Sequence, residues 1–164
     1  MNKVKLAVMI SAGALAVAMA PSLAKEKNVG PNWRAAPVFT TANLAAGFNP
    51  DPWTYDMQAG GSQEVSDLGA GCGGYINFSA PDIDLNYEAG SILPLHIYVR
   101  SNSDTTLVVY GPDGQWHCND DASGLNPMVT FNSPRSGNYN IWVGVFGGSA
   151  LQAARVHISE LSPE

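Results

Sequence analysis

The sequence predicts an all-β fold: an antiparallel, jelly-roll-like β-sandwich of about 7–10 short strands closed by one disulfide. Period-two alternation of apolar and polar side chains recurs along the chain, the mark of strands with one buried and one wet face. Seventeen glycines and 11 prolines in 164 residues punctuate that alternation, and no stretch keeps a helical period. At 45% hydrophobic and 13% charged, the chain is long enough for one core and short for two.

Taken in order, the chain opens on Lys3 and Lys5, followed by an uncharged apolar run over residues 6–20. This is the pattern of a secretory signal peptide, and the small residues Ser22 and Ala24 place the cut after residue 24. The run is shorter than the roughly 18–20 residues of a membrane span, and no later segment approaches that length. The expectation is an exported chain, periplasmic or extracellular, with no membrane span once the peptide (residues 1–24) is removed. Residues 25–37 are polar and Pro-punctuated and read as a flexible N-terminal arm. Residues 38–161 read as a single β-sandwich domain.

Within that domain Leu95, Ile97 and Val99 alternate with His96, Tyr98 and Arg100. Tyr139, Ile141, Val143 and Val145 alternate with Asn140, Trp142 and Gly144, and Ala154, Val156 and Ile158 with Arg155, His157 and Ser159. Residues 105–110 are β-branched and aromatic, and the G-P-D-G turn at 111–114 folds them onto 115–118 as a hairpin. Weaker strand candidates are 38–44, 54–57, 74–78, 83–87 and 128–132. The glycine-rich stretch 60–74, with scattered apolar residues, reads as a surface loop.

Removing the signal peptide leaves six basic against 14 acidic residues, a net charge of −8. Such a chain is a poor partner for nucleic acid or an anionic membrane. The four tryptophans, as stacking platforms for sugars or peptide side chains, make a protein or a polysaccharide the expected class of partner. Cys72 and Cys118 are the two cysteines, and a pair in an oxidising compartment reads as a disulfide. Bridged sulfurs are neither nucleophiles nor zinc ligands.

Hard oxygen ligands concentrate in G-P-D-G-Q-W-H-C-N-D-D at 111–121: Asp113, Asn119, Asp120 and Asp121, with Asp104 before the hairpin. These five are the candidate calcium (Ca2+) ligands, because calcium takes six to eight oxygens from loop carboxylates, amides and carbonyls. The acidic run D-I-D-L-N-Y-E at 82–88 is explained instead by alternation, with Ile83, Leu85 and Tyr87 inward. His96, His117 and His157 sit in no nucleophile motif, and neither G-x-S-x-G nor H-E-x-x-H occurs. Trp33, Trp53, Trp116 and Trp142 are candidate stacking platforms. Trp116 shares a strand face with Cys118 and is expected to pack there, whereas Trp142 faces away from Ile141 and Val143. Trp142, with outward Tyr98 and His96, is the candidate binding surface.

Residues 74–144 resemble the bacterial pre-peptidase C-terminal (PPC) domain superfamily. The resemblance is carried by L-H-I-Y-V-R-S-N-S-D-T-T-L-V-V-Y-G-P-D-G at 95–114, W-H-C-N-D-D at 116–121, N-P-M at 126–128 and S-G-N-Y-N-I-W-V-G at 136–144. About half of the chain after the signal peptide is covered. It implies a β-sandwich accessory module, usually appended to a secreted peptidase, in some members stabilised by calcium or binding matrix polymers. No peptidase precedes it in this sequence. The expected function is an exported, non-catalytic binding or accessory module for a protein or extracellular polymer. The alternatives are a small secreted hydrolase and a structural envelope protein.

Overall fold

The computed structural model describes residues 30–163. The signal-peptide reading and residues 25–29 of the arm lie outside the described residues. Among the described residues eleven strands form two sheets: β1 (Thr40–Ala45), β2 (Trp53–Ala59), β3 (Gln63–Glu64), β4 (Tyr75–Ile76), β5 (Ile83–Glu88), β6 (Leu95–Arg100), β7 (Thr105–Tyr110), β8 (Trp116–Asn119), β9 (Met128–Phe131), β10 (Gly137–Val145) and β11 (Gln152–Ser159). The smaller sheet is antiparallel throughout, in the order β2-β11-β6-β9. The larger is built around β10, which pairs with β7 along one edge and with β5 and then β4 along the other. β8, β3 and β1 extend it, and β1 departs from the antiparallel expectation by pairing parallel to β5.

The alternation in the sequence fixes which side chains meet between the sheets. Ile83, Leu85 and Tyr87 of β5, Leu107 and Val109 of β7, and Tyr139, Ile141 and Val143 of β10 face Ile97 and Val99 of β6 and Val156 and Ile158 of β11. Each of these side chains is buried, worth about 1.5–3 kcal/mol for a fully buried aliphatic residue. The 105–118 hairpin forms as its turn chemistry requires: Tyr110 pairs with Trp116, and the Gly111 amide donates to the Gln115 carbonyl.

A second, smaller core lies on the outer face of the larger sheet. Val65, Ile76, Val108 and Trp142 are buried there, with Trp33, Leu68, Phe78, Tyr110 and Trp116 packed against them. Cys72 and Cys118 are bridged, with Cα atoms 4.9 Å apart, and Trp116 packs beside the bridge as its strand face predicts. Two expectations are revised here. The 60–74 stretch lies at the surface with most of its residues exposed, but it is anchored: Val65 is fully buried, Ser66–Leu68 form a 3-10 turn, and β3 pairs with β4. Its glycines permit close approach, since a Cβ on Gly61 would stand 1.9 Å from the Ile76 carbonyl carbon. Residues 30–37, expected to be part of a flexible arm, are held to the sheet. The Asn32 amide donates to the Phe78 carbonyl at 2.8 Å, and Trp33 stacks on Tyr110 with centroids 4.9 Å apart.

Candidate functional site

Trp142 occupies the face that alternation assigns it, but that face is covered. The side chain is 0% exposed, its indole N–H donates to the Ala80 carbonyl at 2.7 Å, and Trp116 packs on it with centroids 5.5 Å apart. The expected surface role of Trp142 is therefore corrected: alternation gives a direction, and the segment tied down through Cys72 fills the space it points into.

Tyr98 and His96 are corrected in the same sense. Both point away from the inter-sheet core, yet they are only 7% and 8% exposed, because β6 is an inner strand flanked by β11 and β9. Tyr98 is stacked on its cross-strand neighbour His157 at 4.6 Å, and the Arg100 guanidinium lies 5.0 Å from its ring centroid. His96 Nδ1 is 2.9 Å from Thr130 Oγ1, while its Nε2 is buried without a partner. Both ring nitrogens of His157 are likewise sealed and unpaired. Desolvation by burial lowers the pKa of both histidines, reinforced for His157 by Arg100 and Arg155.

The five candidate calcium ligands are divided by the hairpin. Asp113 sits at its turn, where it accepts the Gln115 amide through Oδ1 at 3.0 Å and pairs through Oδ2 with His117 Nε2 at 2.9 Å. Burial acts to raise its pKa, but the Gln115 amide and His117 outweigh it and hold the carboxyl low. Asn119, Asp120, Asp121 and Asp104 lie at the opposite, open end. There Asn119 Oδ1 accepts the Met128 amide at 2.9 Å. Asp104 keeps a buried, unpaired Oδ1, its pKa raised by desolvation and then by Asp121 and Asp120. Among the described residues no three His, Cys, Asp or Glu side chains are grouped so as to hold a metal ion, and the hairpin sets Asp113 apart from the other four candidates. Of the three histidines, His117 pairs with the Asp113 carboxylate and His96 with the Thr130 hydroxyl.

A cleft of about 650 Å³ opens on the second core instead, lined by Asn32, Trp33, Arg34, Phe78, Ser79 and Trp116. Its three aromatic side chains are half-buried, so each is seated by packing and still offers ring surface. Trp33 rests on Tyr110, which also packs on Trp116 with centroids 4.7 Å apart, and Trp116 rests on Trp142. The buried indole is thus the foundation of the cleft. The exposed Arg34 guanidinium sits 3.8 Å over the Trp33 ring, and Asn32 and Ser79 add polar groups at the rim. Sequence reasoning listed Trp33 and Trp116 as platforms but missed Arg34 and Phe78. An indole beside an arginine in an otherwise polar segment is the signal that marks the arm as part of the site.

No family model and no curated protein matches the chain. Among solved structures it is similar to the crystal structure of Aeromonas hydrophila PliG, a periplasmic lysozyme inhibitor of g-type lysozyme. The identity is 13% and the TM-score 0.36, over 73% of this chain and 96% of that chain.

Proposed function

We propose that the protein is an exported, non-catalytic binding module that holds a neutral extracellular glycan in the cleft formed by Trp33, Phe78 and Trp116. The observation that supports this reading is the row of half-buried aromatic rings, fixed from beneath by Trp142, with Arg34 lying over Trp33 and Asn32 and Ser79 at the edge. Sugar rings present flat C–H faces to aromatic surfaces and hydroxyls at their edges to polar groups, and the cleft offers both. Preorganised rings lose little entropy when they capture a ligand. The acidic balance of the chain, −6 overall, disfavours an anionic polymer. The PPC-like strands and turns support an accessory rather than a catalytic role.

The test is affinity electrophoresis in gels carrying a soluble neutral β-glucan, xylan or anionic polygalacturonate. Retardation by a neutral glycan, reduced at least tenfold by Trp33→Ala and retained by Trp33→Phe, supports the reading. Equal retardation of Trp33→Ala and wild type, or binding to a purified protein partner with none to any glycan, overturns it.

A further inference from the structure

β10 has an interrupted edge. β5 pairs with it up to Ile141 and β4 resumes at Val145, leaving the intervening backbone without a strand partner on that edge. Asp82 and Gly60 fill the gap: the Asp82 amide donates to the Ile141 carbonyl, Asp82 Oδ2 accepts the Val143 amide at 2.8 Å, and the Gly60 amide donates to the Val143 carbonyl. Loops in place of a strand leave a cleft of about 450 Å³, lined by Asp82 together with Val38, Phe39, Ser62, Asn77 and Leu151. We propose that this cleft binds a primary ammonium group carried on an apolar body, the cation pairing with Asp82 Oδ1 and the body resting on Val38, Phe39 and Leu151.

Charge and shape both select that class of ligand. Asp82 is 4% exposed, and Oδ2 is committed to Val143, so Oδ1 is the oxygen a ligand can reach. Asp56 has Arg155 and Asp113 has His117, but no cation of the described residues stands beside Asp82. A buried carboxylate without a counter-charge is costly, and an incoming ammonium relieves it where a neutral or anionic group does not. Ser62 and Asn77 supply acceptors for the remaining N–H groups. The apolar rim is open to solvent, with Val38 51% and Leu151 61% exposed.

Burial pushes the Asp82 pKa up to about 7 against the Val143 hydrogen bond, and no charged side chain on the surrounding strands contributes. An amine with a pKa near that of lysine, about 10.4, stays charged across neutrality, so binding should strengthen roughly tenfold from pH 6 to pH 8 as Asp82 ionises.

The experiment uses 2-phenylethylammonium chloride, with 2-phenylethanol as its neutral counterpart, in titrations followed by calorimetry and protein NMR. The expected result is a Kd for the amine at pH 8 at least tenfold below that for the alcohol, weakening about tenfold at pH 6, with shifts centred on Val38, Gly60 and Leu151. Asp82→Asn should abolish the preference for the amine. Leu151→Ala, a change at an exposed side chain, should weaken both ligands. Equal affinity for amine and alcohol, no pH dependence, shifts elsewhere, or no binding at millimolar amine overturns the proposal. The wild-type comparisons decide it even if Asp82→Asn does not fold.

Discussion

Replacing Asp82 by asparagine removes a charge from the sheet gap while keeping a carbonyl oxygen that can accept the Val143 amide. The carboxyl titrates at about 7 in the folded protein, against an ordinary value of 3.8. A displacement of about three pH units at 1.36 kcal/mol each amounts to about 4 kcal/mol. The folded state holds the proton more tightly than the unfolded chain, so this group's contribution is present at low pH. It is lost as pH rises from about 4 to 7, and above 7 the penalty is constant. Asp82→Asn should therefore gain on wild type progressively over that window, by up to about 4 kcal/mol at pH 8. The asparagine NH2, if unpaired, adds a pH-independent cost of about 1–3 kcal/mol, which displaces the difference curve without changing its slope. Urea titrations at half-unit intervals from pH 4.5 to 8.5, without reductant, measure the curve. A stability difference that stays flat across that range would refute the assignment of a desolvated, unpaired carboxyl at this position.

Four further outcomes follow from the same physics. Trp142→Ala removes a fully buried side chain from under the aromatic cleft and should cost about 3–5 kcal/mol, read as a lower urea midpoint. Reducing the Cys72–Cys118 bridge, which spans a separation of 46 residues, should cost about 4 kcal/mol on the chain-entropy account, and neither thiol should alkylate before reduction. His157→Phe keeps a ring against Tyr98 and removes two unpaired nitrogens. Because the His157 pKa is depressed in the fold, wild type loses stability as pH falls below about 6.5, and the variant's melting-temperature advantage should widen there. Asp104→Asn relieves repulsion from Asp121 and Asp120 at the open end of the hairpin and should raise the melting temperature at pH 7 but not at pH 3.

The strands were legible because alternation is a local property. The runs around 95–100, 139–145 and 154–158 each form a strand with the predicted residues inward, and 105–110 forms the expected hairpin strand. What covers an outward face depends on residues distant in sequence, and here the reading failed. Val65 and Leu68 look like stray apolar residues among glycines until the bridge at Cys72 brings them over Trp142. The divided acidic set was within reach of sequence reasoning, since pairing Tyr110 with Trp116 puts Asp113 at the turn and Asp104 beside the far end of β8. The Asp82 cleft was not, because it exists only where β5 stops short of β4 along β10.

The strand order also sets when the fold can be completed. Among the described residues β11 is the last strand, yet it is the sole strand partner of β2 and lies between β2 and β6. A ribosome-bound or translocating chain that has emerged only as far as β9 therefore carries two half-sheets that cannot close on each other. Sandwich assembly waits for residues 152–159, and loss of those eight residues should leave the preceding strands exposed to proteolysis.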